Sequence, residues 1–204
     1  MPVPDEDVVR RVLAVKDRDV LCRQAVEDAW KIIKEGYPER AWWRRKSTSR
    51  ALMWEHSVNN AVAAFESDSG VRVIPHNDTA SLLFDDIVFA RFKKASIQLH
   101  TSNYPTLLAL MFHRHDRDLF GHEGHHRVEI AHVLNQFETK LDWIGVVARE
   151  RERVLWHFEL RSGGAAVEPL PLPKRPAPAV DQVLRPVKPE AEETRDKERD
   201  KESE

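Results

Sequence analysis

Around residues 65–71 the hydrophobic period of the chain changes, and that change limits what it can fold into. Before it, Val8, Val12, Leu21, Ala25, Ala29, Ile32 and Ile33 recur at steps of three and four residues, the spacing of one helix face. Leu52, Trp54, Val58, Ala61, Val62 and Phe65 repeat the pattern. After Gly70 the apolar residues alternate instead, as on a pleated strand. A chain that reads helices first and strands afterwards belongs to the α+β class.

Local signals place the elements. Asp5 precedes the first helical run, which can break near Lys16–Arg18 into two helices and is stopped by Gly36 and Pro38. Ser47, Thr48 and Ser49 can cap the next helix. Strands are expected at 71–75, 81–84, 87–92, 127–134, 141–149 and 153–160, with HNDTA (76–80) and Asp85-Asp86 as turns. In the third strand Ile87, Phe89 and Arg91 face one way, and Val88, Ala90 and Phe92 the other. SNYPT (102–106) opens a short inserted helix, with Ser102 or Asn103 as cap and Pro105 in the first turn. The last three strands, joined by short polar links, suggest an antiparallel meander. The expected fold therefore has two or three N-terminal helices, a mostly antiparallel sheet of about six strands and one inserted helix.

Residues 1–162 read as a single domain and 163–204 as a tail. Prolines crowd 169–189, and no hydrophobic residue follows Ala191. Such a segment buries too little apolar surface to offset its ordering entropy, so disorder is expected. The tail holds eight Lys/Arg and ten Asp/Glu, leaving 24 of each in 1–162. This balance argues against a strong duplex nucleic-acid binder, which carries a basic excess. No run of about 18 apolar residues suggests a membrane span, and the acidic N-terminus does not read as a secretory signal. The single Cys22 permits no intrachain disulfide and fits a cytoplasmic location.

Four clusters could carry chemistry. His122, Glu123 and His126 have the H-E-x-x-H spacing of a zinc peptidase, which needs both imidazoles on one helix face. Gly121 and Gly124 each cost a helix about 1 kcal/mol relative to Ala, and a strand pattern follows at once. A connecting loop is expected, with zinc at His122 and His126 as the alternative. Asp85, Asp86 and Lys93 or Lys94 could begin and end a PD-(D/E)xK nuclease pattern with magnesium. The acid two positions before the lysine is missing, because Arg91 and Phe92 stand there. Trp42, Arg44 and Arg45 in AWWRRKSTSR, and Arg91, Lys93 and Lys94 in RFKK, combine cations with aromatics, a mixture able to meet phosphate or bases. No P-loop, G-x-S-x-G or dinucleotide glycine run occurs.

The segments MWEHSVNNAVAAF, LFDDIVFARFKK, TSNYPTLLAL and VLWHFEL, spread over about 50–160, resemble a family of small, mostly actinobacterial proteins. Its members are often encoded beside helix-turn-helix regulators or ImmA/IrrE-like peptidases. The resemblance implies no catalytic residues and no cofactor. It implies a non-enzymatic binding or regulatory protein acting with a co-encoded protein partner. Trp42, Arg44, Arg45, Arg91, Lys93, Lys94, Ser102 and Asn103 are the candidate contacts. A metal-dependent hydrolase and a nucleic-acid-binding module are the alternatives.

Overall fold

In the computed structural model, the described residues are 3–76, 79–101, 111–115 and 124–163. The tail expected from 163 onward therefore lies almost wholly outside them, as do Ser102, Asn103 and His122.

The first helical run forms two helices, α1 (Glu6–Ala14) and α2 (Arg18–Gly36), separated by a 3₁₀ turn at Val15–Asp17. The Asp5 carboxylate caps α1 by accepting the Val8 N–H at 2.9 Å. The break comes where Lys16 and Asp17 adopt φ of 52° and 55°. That left-handed backbone costs a non-glycine residue about 1–2 kcal/mol. Both side chains are tied down there, Lys16 to Asp68 at 2.8 Å and Asp17 to Arg161 at 2.9 Å. A second 3₁₀ turn, Pro38–Trp42, leads to α3 (Lys46–Ala64). The cap expected from Ser47–Ser49 is not made. Arg45 is the N-cap residue and supplies no side-chain bond, because the helix begins one turn earlier than the serine signal suggests. On α3, Met53, Ser57, Val58 and Ala61 are buried, followed by Phe65 just past its end, whereas Val62 is exposed. Ser57 is accommodated by donating to the Met53 carbonyl at 2.7 Å.

Six strands follow: β1 (Val71–His76), β2 (Thr79–Phe84), β3 (Val88–Ala95), β4 (His126–Leu134), β5 (Leu141–Glu150) and β6 (Arg153–Glu159). They lie side by side in sequence order. All neighbours are antiparallel except β3 and β4, which run parallel from Val88↔His126 to Ala95↔Val133. A parallel pair requires a long crossover, here residues 96–125, of which Met111 and Phe112 are helical. The expected α+β class, strand number and β4–β6 meander all agree with this architecture.

Strand alternation gives the sheet two unlike faces. Phe84, Val88, Ala90, Phe92, Val128, Ile130, Ile144, Val146, Ala148 and Phe158 pack with α1, α2 and α3 into the main core. The opposite face carries two smaller clusters, around Leu83, Phe89 and Phe112 and around Ala131, Val133 and Val147. Between them lie charged residues. As expected, Phe89 and Arg91 share one face, and Val88, Ala90 and Phe92 the other.

One ion network fixes the helices to the sheet. Arg18, 1% exposed, donates to Asp68 at 2.8 Å, Asp85 at 2.5 Å and the Val12 carbonyl at 3.2 Å. Asp85 and Asp86 form the β2–β3 turn with φ of 50° and 56°, a conformation aspartate tolerates better than most residues. Gly70 faces this network, and a Cβ there would run into the Arg18 and Asp85 side chains. Asp86 pairs instead with Arg72. Among the described residues no helix is long and apolar enough to cross a membrane.

Candidate functional site

The sequence between α2 and α3 is too rich in aromatics and cations to bury. Pro38 stops the chain from continuing α2, and the short 3₁₀ turn leaves Trp42 85% exposed. Trp43 folds back, its ring 5.8 Å from Tyr37 in an edge contact, and the Tyr37 hydroxyl lies 3.2 Å from His56 Nε2. Arg40 stacks over the Trp30 ring at 5.5 Å. Arg44, Arg45, Lys46 and Arg50 are exposed around the uncapped start of α3, where the free N–H groups add positive potential.

This region faces the turn between β4 and β5. Phe137 there is 77% exposed, and Glu138 binds Lys94 of β3 at 2.5 Å. The Lys94 bond is the chief reason the Glu138 carboxyl lies below its ordinary range. A depression of about 350 Å³ opens between the two segments, lined by Trp30, Arg40, Trp43, Arg45, Lys46, Phe137 and Glu138 among others. Beneath its wall lies His132, whose Nε2 is buried without a hydrogen-bond partner. A cavity of about 10 Å³ touches it, enough for one water. Burial pushes the His132 imidazole down to about 4, aided by the Lys94 charge.

The candidate contact residues divide among three places. Arg45 lines this depression, Trp42 and Arg44 are exposed next to it in sequence, and Lys94 reaches its rim through Glu138. Arg91 and Lys93 point to the opposite face, because alternate β3 residues must. RFKK is therefore not one basic patch. Ser102 and Asn103 lie outside the described residues. Arg50, Lys46 and Phe137 were not singled out in the sequence. Helical spacing alone puts Lys46 and Arg50 on one face, whereas no sequence signal brings Phe137 across from β4–β5.

On the opposite face the charges are buried and mutually engaged. Glu129, 1% exposed, accepts from the Thr101 hydroxyl at 3.0 and 3.1 Å. His113 Nε2 lies 3.4 Å from it and Arg149 Nη1 3.9 Å. Arg149 donates to Thr101 at 2.7 Å, and His115 Nε2–H donates to the Arg149 carbonyl at 2.8 Å. Burial alone would raise the Glu129 carboxyl, but His113, Thr101 and Arg149 outweigh it and hold it below its usual range. Arg91 reaches Ser81 at 3.3 Å and the Phe112 ring at 4.2 Å. Arg127 donates to the carbonyls of Met111 and Arg114. These bonds attach the described parts of the crossover to the sheet. Among the described residues, Glu129 is thus held by Thr101 and lies next to His113 and Arg149.

The zinc spelling does not produce a metal-gripping helix at its second histidine. Gly124 has φ of 78°, and His126 is the first residue of β4, extended rather than helical. Its Nδ1 accepts the Asp5 N–H at 3.0 Å. Among the described residues no three His, Cys, Asp or Glu side chains converge on a metal position. The nuclease pattern is likewise altered. Asp85 is held by Arg18 and Asp86 by Arg72, and Arg91 hydrogen-bonds Ser81 where the second acid would be needed. No family model, curated protein or solved structure matches the chain.

Proposed function

We propose that this chain is a binding protein that engages an acidic, aromatic-compatible surface of a protein partner through the depression at the start of α3. One observation carries the reading. Trp42 and Phe137 are both exposed beside a cavity rimmed by Arg40, Arg45 and Lys46. Large exposed aromatics are costly to keep in water, and Trp and Arg are the residues that most often dominate protein interfaces. Residues 1–162 carry equal numbers of acidic and basic groups, which favours a local acidic partner over the extended phosphate backbone of a duplex. A co-encoded protein in the cytoplasm fits the family resemblance and the lone, buried thiol of Cys22.

The test is affinity capture of the full chain from its host, with wild type compared against Trp42→Ser combined with Arg45→Glu. The expected result is one near-stoichiometric partner, depleted at least tenfold by the double variant; a loss of about 2 kcal/mol or more is typical of interface hot spots. Capture that is absent, or equal for the two proteins, contradicts the proposal.

A further inference from the structure

The charges on the sheet face away from the helices do not balance. Strand alternation places Arg91 and Lys93 of β3 and Arg127 and Glu129 of β4 on that one face, and Arg149 of β5 reaches Glu129 there. Arg91 stands directly beside Glu129 in the parallel register. Among the described residues Glu129 is the one buried carboxylate on this face. Against it stand three buried arginines and the half-buried Lys93.

That carboxylate is already engaged. It accepts twice from Thr101 and lies 3.4 Å from His113 and 3.9 Å from Arg149. Arg91 and Lys93 lie in its field, but neither forms an ion pair with it among the described residues. Arg91 meets only uncharged groups, the Ser81 hydroxyl at 3.3 Å and the Phe112 ring. Burial lowers the Arg91 guanidinium to about 10 and the Lys93 ammonium below its ordinary value, by more than the attraction of Glu129 restores. Arg149 is buried, and its Nε has no hydrogen-bond partner.

Buried cations are normally paired, and an unmet one is costly. A metal ion would meet mostly like charge here, whereas an anion answers the excess. A doubly charged one offsets both Arg91 and Lys93. Their Cα atoms, two apart on one strand face, are separated by about 7 Å, close enough for both heads to converge on one oxyanion. There is also a way in. β2 pairs only with Val88, Phe89 and Ala90 of β3, so Arg91 and Lys93 border an unpaired strand edge, and Lys93 is the member that reaches solvent.

We propose that this face of the sheet binds a phosphate group, free or as the terminal group of a small phosphomonoester, between Arg91 and Lys93. The Arg149 charge adds to the attraction, and Glu129 is the internal anion with which the ligand competes.

The test titrates the full chain with inorganic phosphate, glycerol phosphate and acetate at constant ionic strength, read by calorimetry and melting temperature. Phosphate or its ester is expected to saturate below about 1 mM and to raise the melting temperature, with acetate at least tenfold weaker. The tighter of the first two identifies the source. Lys93→Met should weaken phosphate about tenfold, the worth of one charge-assisted hydrogen bond, and melt near the wild-type temperature. Lys93→Arg should retain binding. Glu129→Gln, which removes the competing carboxylate, should bind phosphate more tightly than wild type; if it does not fold, the two Lys93 variants decide. No saturation by about 10 mM phosphate, acetate binding as tightly, unchanged affinity in Lys93→Met, or weaker binding by folded Glu129→Gln would each overturn the proposal. The partner surface lies on the other face of the sheet, so the two readings fail or hold separately.

Discussion

The two faces of the sheet treat charge differently. On the face away from the helices, Glu129, Arg149, Thr101 and His113 are buried together, the Thr101 hydroxyl donating to Glu129 and accepting from Arg149, with His113 3.4 Å from Glu129. On the helix side the core is apolar; only Arg18, among the cations described there, is buried, in ion pairs with Asp68 and Asp85, whereas Arg45, Lys46 and Arg50 remain exposed. The first arrangement fixes a crossover to the sheet. The second leaves binding capacity unused. Charged residues close together in sequence, such as Arg91, Lys93 and Lys94, fall into different arrangements because a strand sends neighbours to opposite faces.

That contrast breaks most sharply at the buried charges. Glu129→Ala leaves Arg149 and His113 without their carboxylate and should cost about 3–5 kcal/mol, measured by urea unfolding. A change below about 1 kcal/mol would mean that the network contributes little. Arg18→Met, which strands Asp68 and Asp85, is expected to fall in a similar range. Exposed Arg45→Glu should change stability by less than about 0.5 kcal/mol while weakening partner capture.

His132 sharpens the comparison with a pH dependence. Its imidazole is held down to about 4 in the folded chain, from 6.5. The unfolded chain therefore binds the extra proton first as pH falls. Stability from this group is complete above about pH 6.5 and is lost progressively toward pH 4. At pH 5 the deficit is about 2 kcal/mol. His132→Leu removes both the titration and the unpaired buried nitrogen. Urea midpoints at pH 7 and pH 5 should therefore lie closer together in this variant than in the wild type. An unchanged gap would assign the acid sensitivity elsewhere. The smallest expected effect is Val62→Ser on the exposed side of α3, within about 0.5 kcal/mol of wild type.

Much of this architecture was legible in the residues. The change of period located the helices and all six strands, and Gly124 marked the irregular approach to His126. The parallel β3–β4 pairing was not, since strand periodicity carries no direction and the join depends on a crossover of some thirty residues. The site was half legible. Trp42, Arg44 and Arg45 declare themselves as a surface cluster. The depression that Arg45 shares with Phe137 depends on contacts between distant segments that no local pattern encodes. The caps show the same limit: serines at 47–49 suggested a start to α3, but the approach of Trp43 to Tyr37 and the stop at Pro38 place that start at Lys46.

The most direct measurement is site-specific photocrosslinking in the host, with a benzophenone side chain in place of Trp42 and, as control, in place of Val73, an exposed position on β1. The account predicts one discrete protein adduct from position 42, mapping to an acidic segment of the partner, and none from position 73. No adduct at 42, or the same adducts from both positions, would contradict it.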